Sequence, residues 1–166
     1  MLLHRSDFCF SHIPSFCIAA DTANARVLVL SPTTGLLATF AGDGRSGFAL
    51  HGAKARNTTL SGPVACHVDD AYNVYIADSH RVLRVERSSL RIVSFAGTDI
   101  PGYSGDGFKA SASQLWAPMA FAPRAYAEAE RRQLRGADVV DPHNYNRLMQ
   151  VTLSNPFLFI SGKGSL

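Results

Sequence analysis

The sequence predicts an all-β fold built from a repeated unit. Two stretches of 38 residues, 26–63 and 81–118, align without a gap and share 12 identical residues. A fixed offset of 55 residues, with glycines kept at fixed places, is typical of repeat architectures. Short runs of β-branched and large apolar residues alternate with turn residues at intervals of about ten residues, which favours antiparallel strands.

Three short strands are predicted ahead of the first glycine-rich loop. The chain reads FCIAAD over 16–21, RVLVL over 26–30 and LLATFA over 36–41. Ser31-Pro32-Thr33-Thr34-Gly35 separates the last two and is a strong turn signal. The loop itself spans 42–62, and its glycines permit positive φ, so it can fold back without helix or strand.

The second unit contains four predicted strands and then repeats the loop. Turn residues at 69–73 and 78–80 separate the first three strands. The second glycine-rich loop spans 97–117. The predicted strands are PVACHV (63–68), VYIA (74–77), RVLRVE (81–86) and IVSFA (92–96). We expect the matching Phe40 and Phe95 to lie in equivalent layers of the core, together with Val64, Val74, Ile76, Val82 and Val85.

The third unit begins with PMAFA (118–122) and is then interrupted. Ala, Glu, Gln, Leu and Arg in RAYAEAERRQLRG (124–136) favour a helix, and Gly136 is a natural C-terminal stop. Strands are predicted again at 148–153 and 157–160. The predicted organisation is therefore an N-terminal extension (1–15), a partial unit with its loop (16–62), a complete unit with its loop (63–117), and an interrupted unit (118–166) with a helical insertion at about 124–150.

Several of these motifs resemble the NHL repeat. The resemblance rests on NVYIAD (73–78), on RVLRV (81–85), and on the loop GYSGDG (102–107) with LWAP (115–118) after it. It is strong for 63–118 and absent for 124–150. It implies that each unit is a blade of a β-propeller. The second unit lacks counterparts of Ala23 and Asn24, so its turn at 78–81 is expected to be tighter.

A closed propeller takes about 4–8 blades, whereas this chain supplies one complete unit and two partial ones. The sequence therefore predicts an incomplete NHL-type β-propeller of about two to three four-stranded blades. An open arc of this kind leaves two sheet edges unpaired, so we expect self-association or completion by further blades.

No catalytic, cofactor-binding or metal-binding residues are predicted. The six histidines show no HxxxH, HxH or HExxH spacing, and the three cysteines form no CxxC pair, which favours three free thiols. Asp69 and Asp70 are interpreted as turn formers. The GDG triplets at 42–44 and 105–107 lack the alternating oxygen ligands of a calcium loop, and we expect Asp106 to accept bonds from loop amides. The histidines are His4, His12, His51, His67, His80 and His143, and the cysteines are Cys9, Cys17 and Cys66.

The function hypothesis is a scaffold module that binds protein partners without catalysis, with the insertion at 124–150 as its best candidate contact. One alternative is RNA binding through Arg81, Arg87 and Arg91, which share a strand face if no bulge intervenes. Another is a fragment of a propeller lyase or hydrolase. No apolar run is long enough to span a membrane, and polar residues interrupt the apolar N-terminus, so an intracellular protein is favoured over a secreted one.

Overall fold

The structure is a computed structural model, and it describes residues 8–9, 17–69, 71–104, 107–122, 149–151 and 158–162. These residues form three antiparallel β-sheets, and the only helical turns among them are three short 3₁₀ segments, Thr22–Asn24, Ala55–Asn57 and Ala110–Ala112. The predicted all-β class is confirmed. Within this described part, no helix is long and apolar enough to cross a membrane.

The first sheet has four strands in the order β1-β2-β3-β4. Its outermost strand β1 lies within the segment predicted as an N-terminal extension, where no strand was expected. Strand β1 pairs with β2 through Phe8↔Ala19 and Cys9↔Ile18. The strands are β1 (Phe8–Cys9), β2 (Cys17–Asp21), β3 (Arg26–Leu30) and β4 (Leu37–Ala41).

The second sheet also has four strands, in the order β5-β6-β7-β8. Their positions follow the apolar runs of the second unit, and the bounds of β5 and β8 are those predicted. The strands are β5 (Pro63–Val68), β6 (Val74–Asp78), β7 (Arg81–Val85) and β8 (Ile92–Ala96).

The third sheet contains β9 (Pro118–Ala122), β10 (Met149–Val151) and β11 (Leu158–Gly162) in the order β10-β11-β9. Strand β11 pairs antiparallel with β9, so the unit does resume after its interruption. The predicted helix at 124–136 lies outside the described residues. The last two positions assigned to the insertion, 149 and 150, belong to β10.

The second sheet is packed on both faces, because every residue of β6 is buried. Val74 and Ile76 join a core shared with Ile18 and Val27 of the first sheet. Tyr75, on the opposite face, belongs to a second core that includes Phe121 of the third sheet. Stacking sheets face to face in this way buries surfaces that a single sheet would leave exposed to water.

The expected equivalence of Phe40 and Phe95 holds, because each is half-buried against one of the two cores, Phe40 against the first and Phe95 against the second. Of the other expected core residues, Val64 is only half-buried. Val74, Ile76, Val82 and Val85 are buried. The repeat in sequence is therefore a repeat in packing.

The matching strands share fine detail as well as order. The β3–β4 pair shifts register between Val27 and Leu28, and the β7–β8 pair shifts between Val82 and Leu83. Both are β-bulges, which locally twist and bend a strand. The β2–β3 and β6–β7 hairpins each end on an Asp–Arg pair, but only two residues separate the strands in the second, as the tighter turn predicted.

Candidate partner-binding surface

The two glycine-rich loops fold in the same way. The first glycine loop (42–62) is held by bonds from Gly42 N–H to Ala55 O, 2.8 Å, and from Gly47 N–H to Leu60 O, 3.0 Å. The second glycine loop (97–117) makes the same two bonds, from Gly97 to Ala110 and from Gly102 to Leu115, at 3.0 and 3.4 Å. The sequence repeat thus specifies a loop fold as well as strands. Residues 105 and 106, and with them the predicted role of Asp106, lie outside the described residues.

Gly42 and Gly97 are required by the backbone. Their φ angles are +85° and +87°, in the left-handed region. A Cβ on Gly42 would fall on the carbonyl oxygen of Ala25 and 2.8 Å from the Cα of Arg26. The same atom on Gly97 would meet the carbonyl of His80 and lie 2.7 Å from the Cα of Arg81. Each loop therefore starts in direct contact with the hairpin of its own sheet.

A buried ion cluster supports the hairpin of the second sheet. Arg81 donates through Nη2 to Asp78 Oδ2 at 3.3 Å and through Nη1 to Asp99 Oδ2 at 2.7 Å. The other oxygen of Asp78 accepts the Gly62 N–H at 2.8 Å. Asp78 and Arg81 are almost fully buried, so both need these partners. The cluster fixes the end of the first loop and the start of the second against one hairpin.

Aromatic side chains from both loops surround this cluster. The ring of Phe48, from the first loop, lies 5.6 Å from the guanidinium carbon of Arg81. Trp116, from the second loop, packs edge-on against His80 with the ring centres 6.2 Å apart. His80 Nδ1 accepts the Ala117 N–H, which orients the imidazole. Both aromatic residues still expose about half of their surface or more, 62% for Phe48 and 49% for Trp116.

Ile100 completes this group, since the bridge between Pro101 and Leu115 places it beside Trp116 in the fold. It is 59% exposed. We refer to Phe48, Ile100 and Trp116 as the hairpin patch. Exposed apolar groups on a rigid support are typical of protein-interaction sites.

The sequence did not single out the hairpin patch. A signal was available: Phe48 and Tyr103 occupy the same repeat position within loops whose fold needs only glycines and one leucine each. Tyr103 is exposed to a similar extent as Phe48. A large aromatic residue kept in a glycine-rich loop, where no strand pattern requires it, indicates a contact outside the loop itself.

The two loops place aspartates in different electrostatic environments. Asp43 is exposed, and hydrogen bonds from the Arg45 side chain and backbone N–H lower the pKa of its carboxyl. Burial raises the pKa of Asp99, and the nearby positive charge of Arg81 offsets only part of that effect. The aspartate that belongs to the buried cluster therefore holds its negative charge less readily than the exposed one.

The basic residues of the second sheet do not form one exposed face. Arg81 is buried in the ion cluster, so the expected surface of Arg81, Arg87 and Arg91 is wrong at its first member. Arg87 lies over the ring of Tyr72, 4.4 Å from its centre, and Arg91 donates to the Gly52 carbonyl. These arginines make contacts within the protein.

The remaining polar candidates have structural surroundings. Asp69 accepts the Asn73 N–H at 2.7 Å and the Tyr75 hydroxyl at 3.2 Å, so it is a turn former as predicted. Burial and the negative charge of Asp69 raise the pKa of Tyr75 to about 12. Among the described residues, no group of three or more His, Cys, Asp or Glu side chains is placed to hold a metal ion.

The cysteines differ from expectation. Cys66 is disulfide-bonded, so the prediction of three free thiols is wrong at this position. Cys17, in β2, is free and half-buried. The odd cysteine count and the missing CxxC spacing gave no signal of this bond, because disulfides depend on distances that only the fold sets.

Comparison with known proteins gives a likeness of fold alone. No protein-family model matches the sequence, and no curated protein matches it. Among solved structures, the chain is similar to a structural genomics protein of unknown function from Bacteroides thetaiotaomicron VPI-5482, with a TM-score of 0.60 and 18% sequence identity. The match covers 69% of this chain and 28% of that protein, so the chain spans less than a third of its length.

Proposed function

We propose that this protein is a binding module for protein partners, and that it belongs to the NHL type of β-propeller, with each sheet acting as a blade. The observation that carries the binding role is the hairpin patch: three exposed apolar side chains held over a buried ion cluster. A cluster of this kind keeps the loops in one arrangement, so a partner meets a preformed surface and loses less entropy on binding.

Packing between the sheets supports the propeller. Strand β5 is the first strand of its sheet, and it contacts β1 on one side and β9 on the other, the strands with the same place in theirs. In a propeller the innermost strands of successive blades are neighbours around a central axis. The described sheets do not close, so the number of blades belongs to the proposal.

The partner is expected to present an apolar side chain to Phe48 and Trp116. Aromatic residues at the centre of an interface commonly contribute more than about 2 kcal/mol to binding. RNA binding is less well supported, because Arg81 is unavailable to phosphate.

Site-specific photo-crosslinking tests this function. A photoreactive amino acid replaces Trp116 in one sample and Leu90, exposed on the opposite turn of the same sheet, in a control, and both are incubated with an extract of the source cells. We expect a discrete protein adduct from position 116 that disappears with Phe48→Ser and is absent from position 90. Equal adducts from both positions, or an adduct removed by nuclease, would contradict a protein partner at the hairpin patch.

A further inference from the structure

A strand-like segment of the first glycine loop covers the outer edge of the second sheet. Gly52 N–H donates to Ile92 O at 2.7 Å, and Ile92 N–H donates to Ala53 O at 2.9 Å. Ala55 N–H donates to Leu90 O at 2.9 Å. Strand β8 would otherwise present unpaired backbone groups to solvent, so this segment takes the place of a fifth strand.

The same segment also buries side chains. Ile92 is fully buried and shares its core with Ala49 and Ala55 of the loop. Lys54 anchors the far end, because its Nζ donates to the carbonyl of Ser89 at 2.9 Å. Small residues are needed at the contact, since the loop backbone lies directly against the strand.

The outer edge of β4 has the same shape without this cover. Leu37 stands 55 residues before Ile92, and it faces Leu30 as Ile92 faces Val85. Its N–H and C=O therefore point away from β3, as those of Ile92 point away from β7. Within the described ranges, no segment lies beside Leu37, and Leu37 is 63% exposed where Ile92 is 0% exposed.

We propose that the edge of β4 is a docking site for an extended partner segment of the type Gly-Ala-Lys-Ala, contributed by the glycine loop of a further repeat unit. The occupant is identified by the contact that the chain already makes with itself at β8. It binds by adding a strand: its amide and carbonyl groups pair with Leu37, its small residues cover Leu37, and its lysine reaches the carbonyl of Thr34, the equivalent of Ser89. This inference rests on the proposed binding function and names a second surface for it.

The test supplies the segment by tethering. Residues 49–56, ALHGAKAR, are fused to the N-terminus of the full chain through a Gly-Ser linker of about 15 residues, which gives an effective concentration in the millimolar range. We expect amide hydrogen exchange at Leu37 and Thr39 to slow by about tenfold or more. Exchange at Ile92 should stay unchanged, which shows that the rest of the fold is intact.

Two matched controls keep the result specific. In the first, proline replaces glycine in the fused copy only, which removes the N–H that pairs with the Leu37 carbonyl, and protection should be lost. In the second, Leu37→Asp in the fused chain should abolish protection at Thr39 while Ile92 remains protected. Unchanged exchange at Leu37 on fusion, or equal protection by the proline copy, would overturn the inference.

The oligomeric state separates this occupant from a second copy of the chain. The unfused chain is measured at two concentrations by sedimentation and hydrogen exchange, and Leu37 is expected to exchange equally fast at both. Protection that rises with concentration would replace the proposed occupant with a second copy. Loss of the β4 result leaves the crosslink at position 116 unaffected, so the two proposals fail separately.

Discussion

Leu37 and Ile92 occupy equivalent places in the first and second sheets, yet one is exposed and the other is fully buried. The hairpins show the same contrast. The Arg26–Asp21 pair leaves 38% of the arginine side chain exposed, whereas Arg81, paired with Asp78, is 4% exposed. The strands and their registers are alike in both sheets.

The difference comes from the preceding unit. The first glycine loop leaves the first sheet and covers the second, placing Phe48 over Arg81 and Gly52 beside Ile92. Within the described residues, no such loop reaches the first sheet. Burial in this fold is therefore a property of neighbouring units, as expected for repeat proteins whose stability depends on interfaces between units.

Removing each arginine should break this comparison most strongly. Arg81→Ala leaves Asp78 buried without its counterion, and we expect a loss of about 3–5 kcal/mol in the free energy of unfolding. Arg26→Ala removes an exposed pair and should cost no more than about 1 kcal/mol. Urea denaturation of both variants measures the difference, and equal losses would show that the two hairpins are equally buried in solution.

Truncating the paired apolar residues should have the next largest effect. Ile92→Ala opens a cavity under the first glycine loop, and such truncations cost about 2–5 kcal/mol. Leu37→Ala removes an exposed side chain and should change stability by less than about 0.5 kcal/mol. Thermal or urea unfolding measures both changes, and a large loss from Leu37→Ala would mean that the β4 edge is already covered within the chain.

Much of the strand order could be predicted from sequence, because the repeat gives two readings of the same pattern. Strands β3, β5, β8 and β9 have the predicted bounds, since each is a run of apolar residues between turn signals. Strand β1 was not predicted, because two residues carry no period and Phe8–Cys9 becomes a strand only through its pairing with β2.

The candidate site could not be predicted in the same way. Arg81 was interpreted as a surface residue because arginine usually is one, and its burial depends on Phe48 and Asp99, which are 33 and 18 residues away. The loop fold was within reach of the sequence, since glycines at fixed repeat positions indicate backbone that only glycine adopts. What the loops cover depends on how the sheets stack, and no local pattern contains that information.

Glycine substitutions separate close approach from backbone conformation. Gly97→Ala places a Cβ against the backbone at Arg81, and strain together with the clash should cost about 2–4 kcal/mol. Gly52 has a similar φ of +79° but no atom near its missing Cβ, so Gly52→Ala should cost about 1–2 kcal/mol. Denaturant midpoints measure both, and a Gly52→Ala loss as large as that of Gly97→Ala would show that conformation alone sets the requirement.

The smallest effect concerns the two aspartates, which should titrate on opposite sides of the ordinary carboxyl pKa. Asp43 has a lowered pKa because Arg45 donates to it, so its contribution to stability is present above the ordinary pKa and is lost as pH falls through the lowered value. Asp99 has a raised pKa because it is buried, so its contribution is present below the ordinary pKa and is lost as pH rises through the raised value. Carboxyl ¹³C NMR titration resolves the two residues. Arg45→Gln should raise the pKa of Asp43 and leave that of Asp99 unchanged, because only Asp43 bonds to Arg45. If Asp99 titrated below Asp43, its carboxylate would be well solvated, and the second loop would lie less closely on the hairpin than the contact with Arg81 requires.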